Sequence, residues 1–274
     1  MIRRAKVTAV RGYVSELANG CVPGQTEPLI ITLTPEGSSE RIDAVLKPTK
    51  IGQGVPGEVR AVRELFCAAI LRKFGLLAPE PFLVTGLLLP IRLIKDPRIL
   101  SDLSVAPLHF ASEWIKAGCE YQARDEIDHP PLFSSAQDVF VADNLILNAD
   151  RTTGKPNLWY YADRLVPIDH VLAFTNLRGT PTSLALSIGE QRQHFAFPTL
   201  HGEKLHDLSR SLAQWFSRVT RETILEISAA VPSELGSVQN ELDRISRHCL
   251  QHELKVDVVA QAVTLCFKFD PPSP

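Results

Sequence analysis

Neither sign of charge dominates this 274-residue chain: 29 Lys and Arg stand against 31 Asp and Glu, for a net charge of −2. Without an excess of basic residues there is no global field to draw in nucleic acid and no cationic face for a membrane surface. Cysteine is sparse as well. Cys21, Cys67, Cys119, Cys249 and Cys266 are scattered and odd in number, with no Cys-x-x-Cys pair. That excludes a disulfide scaffold and fits reduced thiols in a cytoplasm, packed as small hydrophobes. Long apolar runs are missing too. The most hydrophobic window, Leu76 to Ile94, carries Pro79, Glu80, Pro81, Pro90 and Arg92, which suits two strands and a turn, Phe82–Thr85 and Leu87–Ile94, better than a membrane span. The basic start, Met1 to Lys6, leads into Val7-Thr8-Ala9-Val10 instead of a signal core and reads as an unprocessed first strand. There is no internal repeat, and no Gly-x-Gly-x-x-Gly loop joins the first strands; that spacing occurs in the first hundred residues at Gly52-Gln53-Gly54-Val55-Pro56-Gly57, a loop that leads into a helix. The nearest candidate cover for a phosphate is Asn19-Gly20-Cys21-Val22-Pro23-Gly24-Gln25.

What is present is the composition of a globular protein, 45% apolar and 22% charged, long enough to bury about three quarters of its unfolded surface. Lys6–Val14 is β-rich. Pro28–Leu33 and Ile42–Leu46 flank a turn-forming stretch, Pro35-Glu36-Gly37-Ser38-Ser39, and predict a hairpin. Val62, Leu65, Phe66, Ala69, Ile70 and Phe74 recur at helical spacing until Gly75. Ala136–Leu147 is patterned as a helix, and Leu158–Tyr161 with Leu165–Ile168 as a short hairpin. From about Glu203 to Ala262 the pattern is helical, with Leu205–Val219, Glu222–Ala230 and Glu234–Glu253 as segments. The expectation is an α+β fold with a β-rich first lobe and an α-helical second lobe.

Chemistry concentrates between Asp138 and His170. A helix delivers Asp150 into a polar loop, Asn157 closes the loop, and a hairpin returns the chain to Asp169. A strand out and back brings Asn157 and Asp169 to the same end of the hairpin. An amide carbonyl and a carboxylate are oxygen ligands of the kind Mg²⁺ accepts beside phosphate. A carboxylate left off the metal, Asp150, can orient or deprotonate a hydroxyl. A phosphoryl-transfer site also needs a cation on the nucleotide. Lys47 ends the strand Ile42–Leu46, and Glu64 on the following helix could hold it, with Glu58 as a rival. His248 and His252, four apart beside Cys249 and Glu253, mimic a metal pair but read as a solvated helix face, and Arg210, Arg218, Arg221, Arg244 and Arg247 read as surface charge.

The ordered set Val45-Leu46-Lys47-Pro48, Gly52-Gln53-Gly54, Glu64, Gly75-Leu76-x-Ala78-Pro79-Glu80, Asp143-x-Leu145-Ile146-x-Asn148-x-Asp150-Arg151 and Ile168-Asp169-His170-x-x-Ala173-Phe174 resembles the HipA-like kinase family, particularly its compact single-domain members. The resemblance implies a two-lobed protein-kinase-like fold in one domain over 1–274, with an N-lobe to about 109, a hinge at 110–115 and a C-lobe over 116–274. It implies that Lys47 binds the α- and β-phosphates of ATP with Glu64 as its partner, and that Asp150 is the catalytic aspartate. By the same resemblance Asn157 and Asp169 hold Mg²⁺, and backbone groups of Glu113, Trp114 and Ile115 meet adenine with Phe110 at the back of the pocket. Asn148 and Asp143 brace the loop. Relatives commonly carry Asn-Pro-Asn where this chain has Lys155-Pro156-Asn157, so one amide is lost. Asp169 is followed by His170-Val171, which removes the basis for a Phe-driven switch.

The resulting expectation is a cytoplasmic, ATP- and Mg²⁺-dependent kinase acting on protein Ser/Thr. Its partner would be a protein substrate, with an antitoxin-type partner implied by the family alone, and no nucleic acid or membrane. Two alternatives stay open: a catalytically impaired pseudokinase serving as a nucleotide-binding or scaffold module, suggested by Lys155 and by the lack of a Gly-rich loop between the first strands, and a lipid or small-molecule kinase, suggested by Asn148-x-Asp150-Arg151.

Overall fold

Strand formation in the first part of the chain follows from side-chain alternation. Leu29, Ile31 and Leu33 are buried, and so are Ala44 and Leu46 on the returning strand, which puts one face of each strand into a common core. The computed structural model describes residues 8–21, 28–35, 39–49, 56–88, 97, 100–101, 103, 108–121, 130–175, 186–197, 220–229, 231 and 236–251. Two compact units divide the chain: one drawn from 1–69, 79–116 and 226–242, the other from 70–78, 117–225 and 243–274.

The first unit is built on a closed five-stranded barrel in the order β1-β2-β3-β5-β4. Its strands are β1 (Thr8–Cys21), β2 (Leu29–Pro35), β3 (Ile42–Lys47), β4 (Pro81–Leu88) and β5 (Leu108–Glu113). β2 and β3 form the expected antiparallel hairpin, with Leu29 opposite Leu46 and Leu33 opposite Ile42. Closure comes from β1, antiparallel to β2 on one side and parallel to β4 on the other. Leu29, Ile31, Leu33, Ala44, Leu46, Phe82, Val84, Leu103 and Ala111 make the core. Two expectations need correction. Asn19, Gly20 and Cys21 are the end of β1 rather than a loop, because the strand stays paired to β2 as far as Cys21 opposite Leu29. The expected break between Phe82–Thr85 and Leu87 is absent: β4 is continuous through Gly86, supported by β1 and β5 on its two sides. The rest of the second expected strand and Gly52-Gln53-Gly54 lie outside the described residues.

Helix α1 (Gly57–Lys73) carries Glu58 in its first turn and Arg72 and Lys73 in its last, each opposing the local end of the helix dipole. Residues 61–71 are all buried, so apolar spacing understates how completely the helix is enclosed. It stops as expected at Gly75, whose φ of +86° permits the paired bonds Leu76 N–H to Leu71 O and Gly75 N–H to Arg72 O, both 3.0 Å.

The second unit contains helix α2 (Pro130–Ile146), a three-stranded sheet in the order β6-β7-β8 (Cys119–Glu120, Leu158–Tyr161, Arg164–Pro167) and a short helix α3 (Ile188–Gln193). α2 begins six residues before the expected Ala136, with Pro130 in its first turn, where the missing N–H costs nothing. Ala162 and Asp163, at φ of +50° and +57°, turn β7 into β8 as a two-residue hairpin, which returns Arg164 to the strand. Ser187 and Glu190 form a reciprocal capping box at the start of α3. Two later helices, α4 (Arg221–Ala229) and α5 (Gly236–Gln251), match expected segments, whereas Leu205–Val219 lies outside the described residues. No described helix is long and apolar enough to cross a membrane.

Candidate active site

In the first unit, the end of β3 is fixed from behind. Thr49 N–H donates to His109 Nδ1 (3.2 Å) and Thr49 Oγ1 to the Leu108 carbonyl (2.7 Å), while the other His109 nitrogen reaches the Leu103 carbonyl (3.2 Å). Lys47 sits opposite Phe110 in the β3–β5 ladder, and its ammonium lies 5.9 Å from the Phe110 ring centroid. That ammonium donates to Glu64 Oε1, with the two side chains 18% and 4% exposed. A buried carboxylate of this kind is tolerated because it is paired. The next residue back on α1, Arg63, makes a second buried ion pair, its Nε and a terminal nitrogen both 2.7 Å from Glu241 Oε1 of α5. Arg63 thus ties α1 to α5 beside Glu64.

The segment after β5 is also held. Glu113 N–H donates to the Glu80 carbonyl and Trp114 N–H to the Asp43 carbonyl, each at 2.9 Å. Asp43 in turn takes Thr32 Oγ1 (2.9 Å) and Lys116, and the Lys116 contact is the main reason its carboxyl lies below the usual carboxylate range. Of the three expected adenine-facing positions, Ile115 is the one whose N–H has no partner among the described residues.

In the second unit the sequence Asp143 to Asp169 is organised around one fully buried guanidinium. Arg151 Nε donates to Asp143 Oδ2 (2.6 Å) and a terminal nitrogen reaches Asp143 Oδ1 (3.5 Å). The other terminal nitrogen takes the carbonyls of Pro156 (3.0 Å), Asn157 and Ile168 (3.3 Å). The planar fork of arginine suits this double duty, a carboxylate on one edge and backbone oxygens on the other. Ile168 N–H also donates to the Asn157 carbonyl at 3.1 Å. Arg151 therefore gathers the backbone just before both expected metal ligands.

Asp143 accepts two further bonds, from Asn148 Nδ2 (3.2 Å) and His194 Nε2 (2.9 Å). Burial alone would raise its pKa, but Arg151 and His194 outweigh that and hold it down at about 2. His194 receives Ala196 N–H on Nδ1 at 3.2 Å, so its proton sits on Nε2 and points at Asp143. Burial, partly opposed by Asp143, keeps this imidazole below its ordinary pKa, and neutral. His194 had no signal in the sequence: it lies 51 residues from Asp143, on no recognisable spacing.

Upon this frame stand the three oxygen-bearing residues. α2 ends with Leu147 in the left-handed region, φ +52°, and Asn148 N–H returning to the Asp143 carbonyl at 2.9 Å, which directs the chain into the Asp150 loop. Asp150 Oδ2 accepts from Asn157 Nδ2 (3.2 Å) and from the Lys155 ammonium (2.6 Å). Asn157 and Asp169 both have left-handed backbones, φ +49° and +57°, a conformation Asn and Asp tolerate better than most residues. With Nδ2 committed to Asp150, Asn157 Oδ1 is the atom left for a cation. One amide oxygen and one carboxylate, with remaining positions open to phosphate and water, fit Mg²⁺ in a phosphoryl-transfer site.

The expected helix-face pair fares differently. His248 is buried and its Nε2 lies 3.1 Å from the Leu145 carbonyl, with the Phe174 ring edge-on at 5.9 Å; burial lowers its pKa to about 4. Cys249 is buried too, and its thiol pKa is pushed up. The reading of a solvated face is therefore corrected, since Val238, Leu242, Ile245 and Cys249 form the apolar stripe of α5 and His248 shares it. Arg244 is half-buried rather than surface charge, and His252 lies outside the described residues.

Comparison with known proteins adds two findings. Residues 52–248 match a family model described as HipA-like kinase. A solved structure, that of a Helicobacter pylori proinflammatory kinase CtkA, is similar over 94% of this chain and 97% of that chain, at 12% identity and a TM-score of 0.48. No curated protein matches by sequence.

Proposed function

Given that the chain belongs to the HipA-like kinase family, and so is a kinase-type phosphotransferase, we propose that it transfers the γ-phosphoryl group of ATP to a Ser or Thr hydroxyl of a protein. The observation that carries the proposal is the state of Asp150. Its Oδ2 is committed to Lys155 and Asn157, while Oδ1 takes no hydrogen bond from any described residue and stands ready for an acceptor hydroxyl. Asp150 orients that hydroxyl and takes its proton as the oxygen meets phosphorus. Asn157 Oδ1 and Asp169 would hold Mg²⁺, which when bound neutralises phosphate charge. Lys47, kept in place by Glu64, binds the α- and β-phosphates, and Ile115 N–H supplies a donor for adenine. In-line transfer asks a protein chiefly for positioning and charge neutralisation, and these residue types provide both.

The test is transfer from γ-labelled ATP with Mg²⁺, to the chain itself and to added proteins. Wild type should label protein, and Asp150→Ala should lose at least about 10²-fold in rate while keeping its melting temperature. Label appearing on lipid or small alcohols alone would replace the protein acceptor. Nucleotide binding without any transfer would make the chain a scaffold, and an Asp150→Ala variant as fast as wild type would remove Asp150 from the chemistry.

A further inference from the structure

Helix α1 carries two consecutive charged residues into surroundings closed to water. Arg63 and Glu64 are 5% and 3% exposed, and Val62, Leu65 and Phe66 on either side of them are fully buried. Consecutive side chains leave a helix about 100° apart, so the two charges face different neighbours. Glu64 meets the Lys47 ammonium on β3, and Arg63 meets Glu241 on α5, its Nε and a terminal nitrogen each 2.7 Å from Oε1. Glu241 is buried in turn, with Val238 and Leu242 of its own helix buried beside it.

Stability is a poor account of the Arg63–Glu241 pair. Two charges taken out of water recover little beyond their desolvation cost, and apolar residues of similar volume often serve as well. What apolar residues lack is direction. A helix packed only through aliphatic side chains can turn slightly at small cost. A buried guanidinium and carboxylate resist that motion, because it leaves both charges without a partner. Helix α1 is therefore fixed in rotation by ion pairs on adjacent residues, one to α5 and one to β3.

Resting on the kinase reading above, we propose that Arg63 is a positioning residue: by gripping Glu241 it sets the rotation of α1 at which Glu64 faces Lys47, and so governs how Lys47 presents its ammonium to the phosphates of ATP. Arg63 acts through Glu64 and not on the nucleotide. Once the grip is lost, α1 samples a range of rotations, Glu64 leaves Lys47 for part of the time, and the lysine is no longer preorganised. Glu241, 178 residues from Arg63 along the chain and outside every motif, enters the machinery of the site by this route.

The full-length chain tests this with the apolar pair Arg63→Met/Glu241→Leu, with Glu64→Gln, and with all three changes together, each measured for kcat/KM toward ATP and for melting temperature. The apolar pair strands no charge, so it should melt no more than about 3 °C below wild type. Its kcat/KM should nevertheless fall by about 10²-fold, the scale of a small misplacement in a positioned group, and Glu64→Gln should fall comparably. Because Arg63 acts through Glu64, the triple variant should lose no more than about twofold beyond the apolar pair. Losses that multiply in the triple variant would overturn the inference, as would wild-type kcat/KM in the apolar pair alongside an impaired Glu64→Gln. If the apolar pair does not fold, Arg63→Lys decides: it keeps the charge without the two-nitrogen grip and should lose about 10-fold, and an unchanged kcat/KM would overturn the inference. An active wild type with an unimpaired Glu64→Gln removes the Lys47–Glu64 pair and Arg63 with it. A wild type that turns over no ATP fails the kinase reading itself, and the inference that rests on it.

Discussion

Arg151 sets the geometry of the second unit's site without being among the residues assigned to ATP or metal. Its guanidinium is fully buried, satisfied by one carboxylate and three carbonyl oxygens, and those carbonyls belong to the residues that present Asn157 and Asp169. Truncation would strand Asp143 as a buried charge with only His194 and Asn148 beside it, a situation that costs about 3–5 kcal/mol. Arg151→Met should therefore lower the melting temperature by about 10 °C. Scanning calorimetry checks this, and a shift under about 2 °C would mean the pair contributes nothing to the fold. The sequence displayed Arg151 only as one letter of the Asp150-Arg151 motif. Its role could not be read there because three of its partners are backbone oxygens, which have no residue identity to recognise.

At the scale of elements, the docking of α5 on the end of α2 through His248 and the Leu145 carbonyl carries a pH dependence. The folded pKa of His248, about 4, lies below its value of about 6.5 in an unfolded chain. Between those values the unfolded state binds more protons, so the contribution is intact above pH 6.5 and drains away as the pH falls toward 4. Urea unfolding of wild type and His248→Asn at pH 7 and pH 5 should differ, with wild type losing about 2 kcal/mol more over that interval. Parallel losses would show that His248 is not buried in neutral form. The 3.6-residue stripe of Val238, Leu242, Ile245 and Cys249 places His248 against the core, a periodicity present in the sequence but masked by the charged residues around it. The β2–β3 and β7–β8 hairpins and α1 were legible because turn chemistry and periodicity are local. Barrel closure by β1 on β4 was not, since pairing Thr8 with Phe82 depends on register between distant segments.

For the molecule as a whole, the residues proposed to act on ATP fall in two compact units, Lys47, Glu64 and Ile115 in one and Asp150, Asn157 and Asp169 in the other. Each group is internally organised, the first by a buried ion pair and the second by the Arg151 cluster. Membership in the HipA-like kinase family supplies the reason to expect both on one substrate. The order of these residues along the chain was readable because motifs are local, whereas their joint action on one nucleotide is a matter of three-dimensional placement. A crystal structure with Mg²⁺ and a non-hydrolysable ATP analogue tests that joint action most directly. The account predicts Lys47 Nζ within about 3 Å of an α- or β-phosphate oxygen, and a metal at about 2.1 Å from Asn157 Oδ1 and an Asp169 carboxylate oxygen, bound to the same nucleotide. A nucleotide held by one group while the other touches neither phosphate nor metal would contradict it.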